Sequence, residues 1–202
     1  MAIKLILASC SPRRRELIKY IGVPYRCISV DADESCFSKN PAVAVCEISS
    51  KKAVAAFDGD KALLEENQVI IGADTIVVCD EKILGKPENA THAKQMLKML
   101  SGRTHQVYTG ITLLYKKDGR TVQKAFSECT DVEFEKLTDS EIDEYIAVNE
   151  YKDKAGSYAI QGVFSAHIKG IKGDYNNVVG FPVARLYKEL KTIFGEDFRN
   201  DI

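Results

Sequence analysis

Hydrophobic positions change their spacing several times along the chain, and each change marks an element. Ile3 to Ala8 is a short apolar run of the kind a buried strand shows. Ser11-Pro12 then supplies an N-cap residue followed by proline at the first helical position. A helix is predicted from there, with Leu17, Ile18 and Ile21 on its apolar face and Gly22 as its stop. Tyr25 to Val30 reads as a second strand and completes a β-α-β opening. Asn40-Pro41 opens a longer helix to about Phe57, ended by Asp58-Gly59, and Val69 to Val78 is a third, strongly apolar strand. Ala90, Ala93, Met96, Leu97 and Leu100 then share one face of a helix that closes at Ser101-Gly102.

The second half is richer in Val, Ile, Thr and aromatics. Gln106 to Tyr115 and Val122 to Phe134, joined through Lys117-Asp118-Gly119-Arg120, predict an antiparallel hairpin. A short helix follows over Thr138 to Ala147 behind a Thr-Asp-Ser-Glu capping box, then short β-like pieces around 157–172 and a last helix from about Pro182 to Phe194. No linker or repeat interrupts the pattern, so residues 1–202 read as one domain. The fold class is mixed α/β: a twisted central sheet flanked by helices in two lobes, with a cleft between them.

Composition narrows what such a fold does. With 45% hydrophobic and 28% charged residues, the 202-residue chain is neither disordered nor low-complexity. Twenty-eight Lys and Arg against 29 Asp and Glu leave no global field to gather nucleic acid or acidic membrane, so any anion site is built locally. The six cysteines contain no C-x-x-C pair and no ligand-spaced cluster with the three histidines, which disfavours a zinc or disulfide framework. Arg13, Arg14 and Arg15 follow the first apolar run, the reverse of a secretory signal, and no apolar stretch spans a bilayer. A reduced, cytoplasmic protein that engages neither membrane nor nucleic acid is expected.

Several residues stand out against this background. Ser9-Cys10-Ser11-Pro12-Arg13-Arg14 lies where a strand ends and a helix begins, so unpaired amides, the positive end of the helix dipole and two guanidiniums meet there; that combination suits phosphate, although a solvated basic helix start has the same letters. Asp74-Thr75 interrupts a run that is apolar on both faces. A buried carboxylate is costly unless it meets a cation, or unless Gly72 and Ala73 open the sheet toward a cleft; a turn cap at a strand end is the alternative. Lys52 falls on the apolar stripe of its helix whereas Lys51 points off it, so Lys52 faces a cleft wall or snorkels along the core edge. Lys86, in Gly85-Lys86-Pro87, is held in a proline-fixed loop that either aims at a phosphate or simply turns the chain, and Asp33-Glu34 adds carboxylates after the second strand or is plain solvated loop. Residues 153–162 and 177–182 are glycine-punctuated segments that line a pocket or make ordinary turns. The inventory of cations, carboxylates and an anion nest suits phosphoryl chemistry. There is no Gly-x-x-x-x-Gly-Lys-Ser/Thr loop, no Gly-x-Gly-x-x-Gly and no catalytic triad.

The chain resembles the Maf (septum formation) nucleoside triphosphate pyrophosphatases. The resemblance runs through Leu7-Ala8-Ser9-Cys10-Ser11-Pro12-Arg13-Arg14, Lys52-Ala53, Gly72-Ala73-Asp74-Thr75, Leu84-Gly85-Lys86-Pro87, Leu100-Ser101-Gly102 with His105-Gln106-Val107, Asp153-Lys154-Ala155-Gly156 and Val179-Gly180-Phe181-Pro182. It departs at Cys10 and at Ile48-Ser49, where the family usually has Leu-Ala. The resemblance implies the inosine triphosphate pyrophosphatase type of fold and metal-dependent cleavage, with Mg²⁺ or Mn²⁺, between the α- and β-phosphates of a nucleoside triphosphate. Carried over motif by motif, Asp74 is the proton acceptor and shares the metal with Glu34, Lys52 and Lys86 neutralise charge, and Ser9, Ser11, Arg13 and Arg14 hold phosphates. The segment Ser157 to Gly162 resembles the branch acting on dTTP and UTP, with Gln161, Arg13 and Thr75 selecting the substrate, whereas the 7-methyl-GTP branch tends to carry an acid at the position of Gln161. It also implies a homodimer. A triphosphate-binding regulator of cell division with little hydrolysis is the rival reading.

Overall fold

The computed structural model describes residues 3–196 together with Phe198 and Arg199. Strand β1 (Lys4–Ala8) leads into helix α1 (Pro12–Ile18), a 3-10 turn over Lys19–Ile21 and strand β2 (Tyr25–Ile28). Gly22 ends the first helical stretch in the left-handed region at φ 74°. Helix α2 (Pro41–Gly59) starts at Asn40, whose side chain accepts hydrogen bonds from the amides of Ala42 and Val43. Then come β3 (Gln68–Cys79), β4 (Lys82–Leu84), α3 (Ala90–Leu100), β5 (Thr104–Lys117), β6 (Arg120–Phe134), α4 (Asp139–Val148), β7 (Ile168–Lys172), α5 (Tyr175–Val179) and α6 (Val183–Phe194). Thr138 and Glu141 form the expected capping box on α4.

The strands make one mixed sheet in the order β2-β1-β3-β5-β6-β7, with β4 added beside β3. β1 pairs parallel with β2 and β3, and every other pairing is antiparallel. The β-like pieces expected over 157–172 reduce to the single strand β7, because Ala155–Ser157 and Val163–His167 are 3-10 turns. The three-residue β4 and five-residue α5 are too short to leave a periodic signal. No helix among the described residues is long and apolar enough to cross a membrane.

Side-chain alternation sorts the sheet into two faces. On one, Val69, Ile71 and Ala73 of β3 and Ile111, Leu113 and Tyr115 of β5 pack with α1 and α6. Further along the same strands and on the same face, Val77, Cys79, Val107, Val132 and Phe134 pack with α3 and α4 to form a second core. Both cores therefore stand on β3, β5 and β6. The opposite face carries Ile6, Ile70 and Leu114 under α2, with Ile76 and Val78 packed against Val45 of α2 beyond.

Helix α2 sits unusually close to the sheet, and two glycines are the reason. A Cβ at Gly72 would lie 2.0 Å from the Ser49 carbonyl oxygen, and one at Gly110 would lie 2.3 Å from the Val45 carbonyl oxygen. Gly72 therefore admits helix backbone and does not open the sheet toward the cleft. Ser49, fully buried, is satisfied by Thr112 Oγ1 at 2.8 Å and the Cys46 carbonyl at 3.0 Å, which accommodates the departure at Ile48-Ser49. Substituting Gly72→Ala is expected to push α2 outward, lower stability by roughly 1–3 kcal/mol and reduce turnover by displacing Lys52. Thermal melting and kcat measured on the purified variant check this; wild-type values for both would show that the helix yields without consequence.

Candidate active site

The two polar residues that interrupt β3 point to opposite faces of the sheet, and each meets a cation there. Asp74 lies on the α2 face, where Lys52 Nζ is 2.7 Å from its Oδ1. The same ammonium is 2.8 Å from Glu34 Oε1, so Lys52 bridges two carboxylates, and Lys86 Nζ approaches the other oxygen of Glu34 at 3.5 Å. Asp74 and Lys52 are nearly enclosed, with side chains 14% and 12% exposed. The hydrogen bond from Lys52, aided by Lys86, pulls the Glu34 carboxyl below its usual pKa against the effect of its partial burial. The neighbouring acid takes a different partner: Asp33 accepts from Lys51 Nζ at 2.7 Å, on the outer side of α2. The helical phase thus separates Lys51 from Lys52 as their positions on the stripe require.

Thr75 lies on the other face and meets Arg14. The Arg14 guanidinium donates from Nη2 to Thr75 Oγ1 at 3.0 Å, from Nη1 to the Ala73 carbonyl at 2.9 Å, and from Nε to the Gly180 carbonyl at 2.9 Å. Nη1 also reaches Ser9 Oγ at 3.4 Å. Gly180, at φ 116°, adopts a conformation that side chains rarely take and brings its carbonyl onto Arg14. Burial pushes the Arg14 pKa down, offset in part by the field of Asp74. Arg14 therefore joins Ser9 after β1, the β3 strand and the turn before α6. Thr75 Oγ1 shares a 3.0 Å hydrogen bond with Thr109 Oγ1, which donates to the Asn177 carbonyl at 3.0 Å. Asn177 Nδ2 completes the chain to the Val107 carbonyl and Thr130 Oγ1. A buried polar seam thus runs between the two apolar cores.

A cleft of about 830 Å³ opens along this seam, within the range of small-ligand sites. Ser9, Ser11, Arg13, Arg14, Glu34, Lys52, Asp74, Thr75, Lys86 and Gln161 all line it. Ser9 Oγ accepts from the Ser11 amide at 3.2 Å, whereas the Ser11 hydroxyl makes no capping bond to α1, so the expected anion nest is already partly filled from within. The segment bearing Gln161 is anchored from below, where Tyr158 Oη and His105 Nε2 hydrogen-bond at 2.9 Å inside the second core. Burial pushes the His105 pKa down to about 4, against the pull of Asp131, and keeps the ring neutral. Lys154 and Asp153 also line the cleft. Lys154 was not given a role among the expected site residues, although its segment was read as pocket-lining and as one of the motifs that carry the resemblance.

Among the described residues no group of three or more His, Cys, Asp or Glu side chains is placed to hold a metal ion. Glu34 and Asp74, joined through Lys52, supply two carboxylates. That donor set fits a hard cation such as Mg²⁺, which keeps most of its waters and takes its remaining ligands from phosphate oxygens, better than it fits a metal caged wholly by protein.

The profile of the family described as Maf-like protein matches residues 4–193. A dTTP/UTP pyrophosphatase of Agathobacter rectalis is 47% identical over 199 residues, covering 94% of this chain and 97% of its own. One of Lachnoclostridium phytofermentans is 45% identical over 195 residues, covering 96% of each chain, and one of Bacillus mycoides is 47% identical over 189 residues, covering 93% and 94%. Among solved structures, the Ham1 protein of Staphylococcus aureus aligns with a TM-score of 0.44 at 17% identity, over 65% of this chain and 71% of its own. The chain belongs to the Maf family.

Proposed function

We propose that this protein hydrolyses dTTP and UTP to the nucleoside monophosphate and pyrophosphate. The relatives described as dTTP/UTP pyrophosphatases support the substrate class. The observation that carries the chemistry is the Asp74–Lys52–Glu34 cluster, held at the edge of a cleft that also presents Arg13 and Lys86. In this reading Asp74 orients a water and accepts its proton as the oxygen bonds to the α-phosphorus. The α–β bridging oxygen leaves with pyrophosphate, and Arg13 and Lys86 hold the departing negative charge. Lys52 bridges Asp74 and Glu34 and offsets the repulsion between two acidic groups that share one edge of the cleft. Those two carboxylates would hold a divalent cation, Mg²⁺ or Mn²⁺, which when bound neutralises phosphate charge. Gln161, exposed on the cleft wall, offers both a donor and an acceptor to the edge of a pyrimidine.

The test is pyrophosphate release from a panel of canonical and modified triphosphates, run with each metal and in ¹⁸O-labelled water. Release from dTTP and UTP with label in the monophosphate is expected. Label in orthophosphate would move the attack to the γ-phosphorus, and triphosphate binding without release would replace hydrolysis by sensing.

A further inference from the structure

Cations outnumber acids around the cleft, but most of them already have partners. Lys52 lies between two carboxylates, Lys86 leans on Glu34, and Arg14 is bound to two carbonyls and a threonine hydroxyl. Arg13 makes no ion pair and no side-chain hydrogen bond among the described residues. Lys154 makes no ion pair there either, and its ammonium donates only to the Lys152 carbonyl of its own turn, at 3.3 Å.

These two cations come from opposite walls. Arg13 stands on α1, which packs into the first core. Lys154 precedes the Ala155–Ser157 turn, which belongs to the second core and whose Gly156 amide donates to the Gly85 carbonyl at 3.1 Å, fixing it beside the Lys86 loop. Both head groups are partly desolvated, and the field of Arg13 opposes the charge on Lys154; Asp153 offsets this for both, and Glu150 for Lys154. Arg13 and Lys154 thus line one cleft from the sides of the two cores, neither in an ion pair among the described residues, and a polyanion between them would engage both.

We propose that Lys154 binds the phosphate chain of the substrate, forming with Arg13 a clamp across the cleft that recognises polyphosphate irrespective of the base. This rests on the reading of the cleft as a triphosphate site. It separates two jobs: Arg13 and Lys154 grip the chain, while Lys52 organises the carboxylates.

The experiment compares wild type with K154Q and K154R by steady-state kinetics on dTTP, by competition with inorganic tripolyphosphate, and by thermal melting. K154Q is expected to raise KM for dTTP and the inhibition constant of tripolyphosphate together, by about tenfold to a hundredfold. The preference for dTTP over GTP and the melting temperature are expected to stay as in wild type, and K154R to keep most of the affinity. K154Q values within twofold of wild type for both ligands would overturn the clamp, as would a K154R as weak as K154Q with a lowered melting temperature, which assigns the loss to folding. Should wild type release no pyrophosphate from dTTP, the proposed reaction fails by itself. Calorimetric titration of tripolyphosphate into wild type and K154Q then still decides the clamp, since equal affinities refute it.

Discussion

Asp74→Asn is expected to lower kcat by about 10²–10⁴-fold while dTTP still binds. The amide is nearly isosteric and retains an oxygen for Lys52 Nζ, which today sits 2.7 Å from Asp74 Oδ1. Lys52 also keeps Glu34 at 2.8 Å, so the exchange does not strand a buried cation and the fold should hold. What vanishes is a group able to take a proton from water, together with one of the two carboxylates available to a divalent ion. Single-turnover rates together with calorimetric dTTP affinity separate the two losses. A variant within tenfold of the wild-type rate would remove Asp74 from the role of base.

The largest stability effect is expected at Arg14, not at its neighbour. Arg14→Met leaves the Ala73 and Gly180 carbonyls and the Thr75 hydroxyl without their donor at the seam between the cores. Each buried acceptor stripped of its partner costs about 1–3 kcal/mol, so a loss of roughly 3–5 kcal/mol and a melting temperature lower by roughly 6–20 °C is anticipated. Arg13→Met should leave the melting temperature almost unchanged, since Arg13 has no such partners among the described residues. A calorimetric melt of both variants decides the matter; equal stability of the two would mean that the Arg14 hydrogen bonds add nothing net.

That contrast marks the boundary of what one sequence conveys. Arg13 and Arg14 are adjacent and identical in kind, and the partners that distinguish them lie 59 and 166 residues away. No local pattern encodes such contacts. Lys52 was legible for the opposite reason: its phase on α2 placed it on the inward stripe, and Asp74 needed a cation. Caps and stops were equally local, so Asn40, Gly22 and the Thr138–Glu141 box appear where the letters put them. Gly72 was visible but its purpose was not, because close approach of a helix and access to a cleft call for the same missing side chain. Residues 157–172 misled because Phe164 serves the second core from a 3-10 turn, and Tyr158 and Ile160 from irregular chain, where no strand-like alternation is required.

Three strands of twelve, fourteen and fifteen residues pass unbroken beneath both walls of the cleft, laced by the β3–β5 and β5–β6 ladders. They act as a shared keel. Rocking the walls together like jaws would crease that keel at Asp74 and Gly110, which face each other in the ladder, and disturb the strand that carries Asp74 to Lys52 of α2. Capture of a ligand therefore falls to swinging side chains and to the chain segments above the sheet, over a platform that stays stiff.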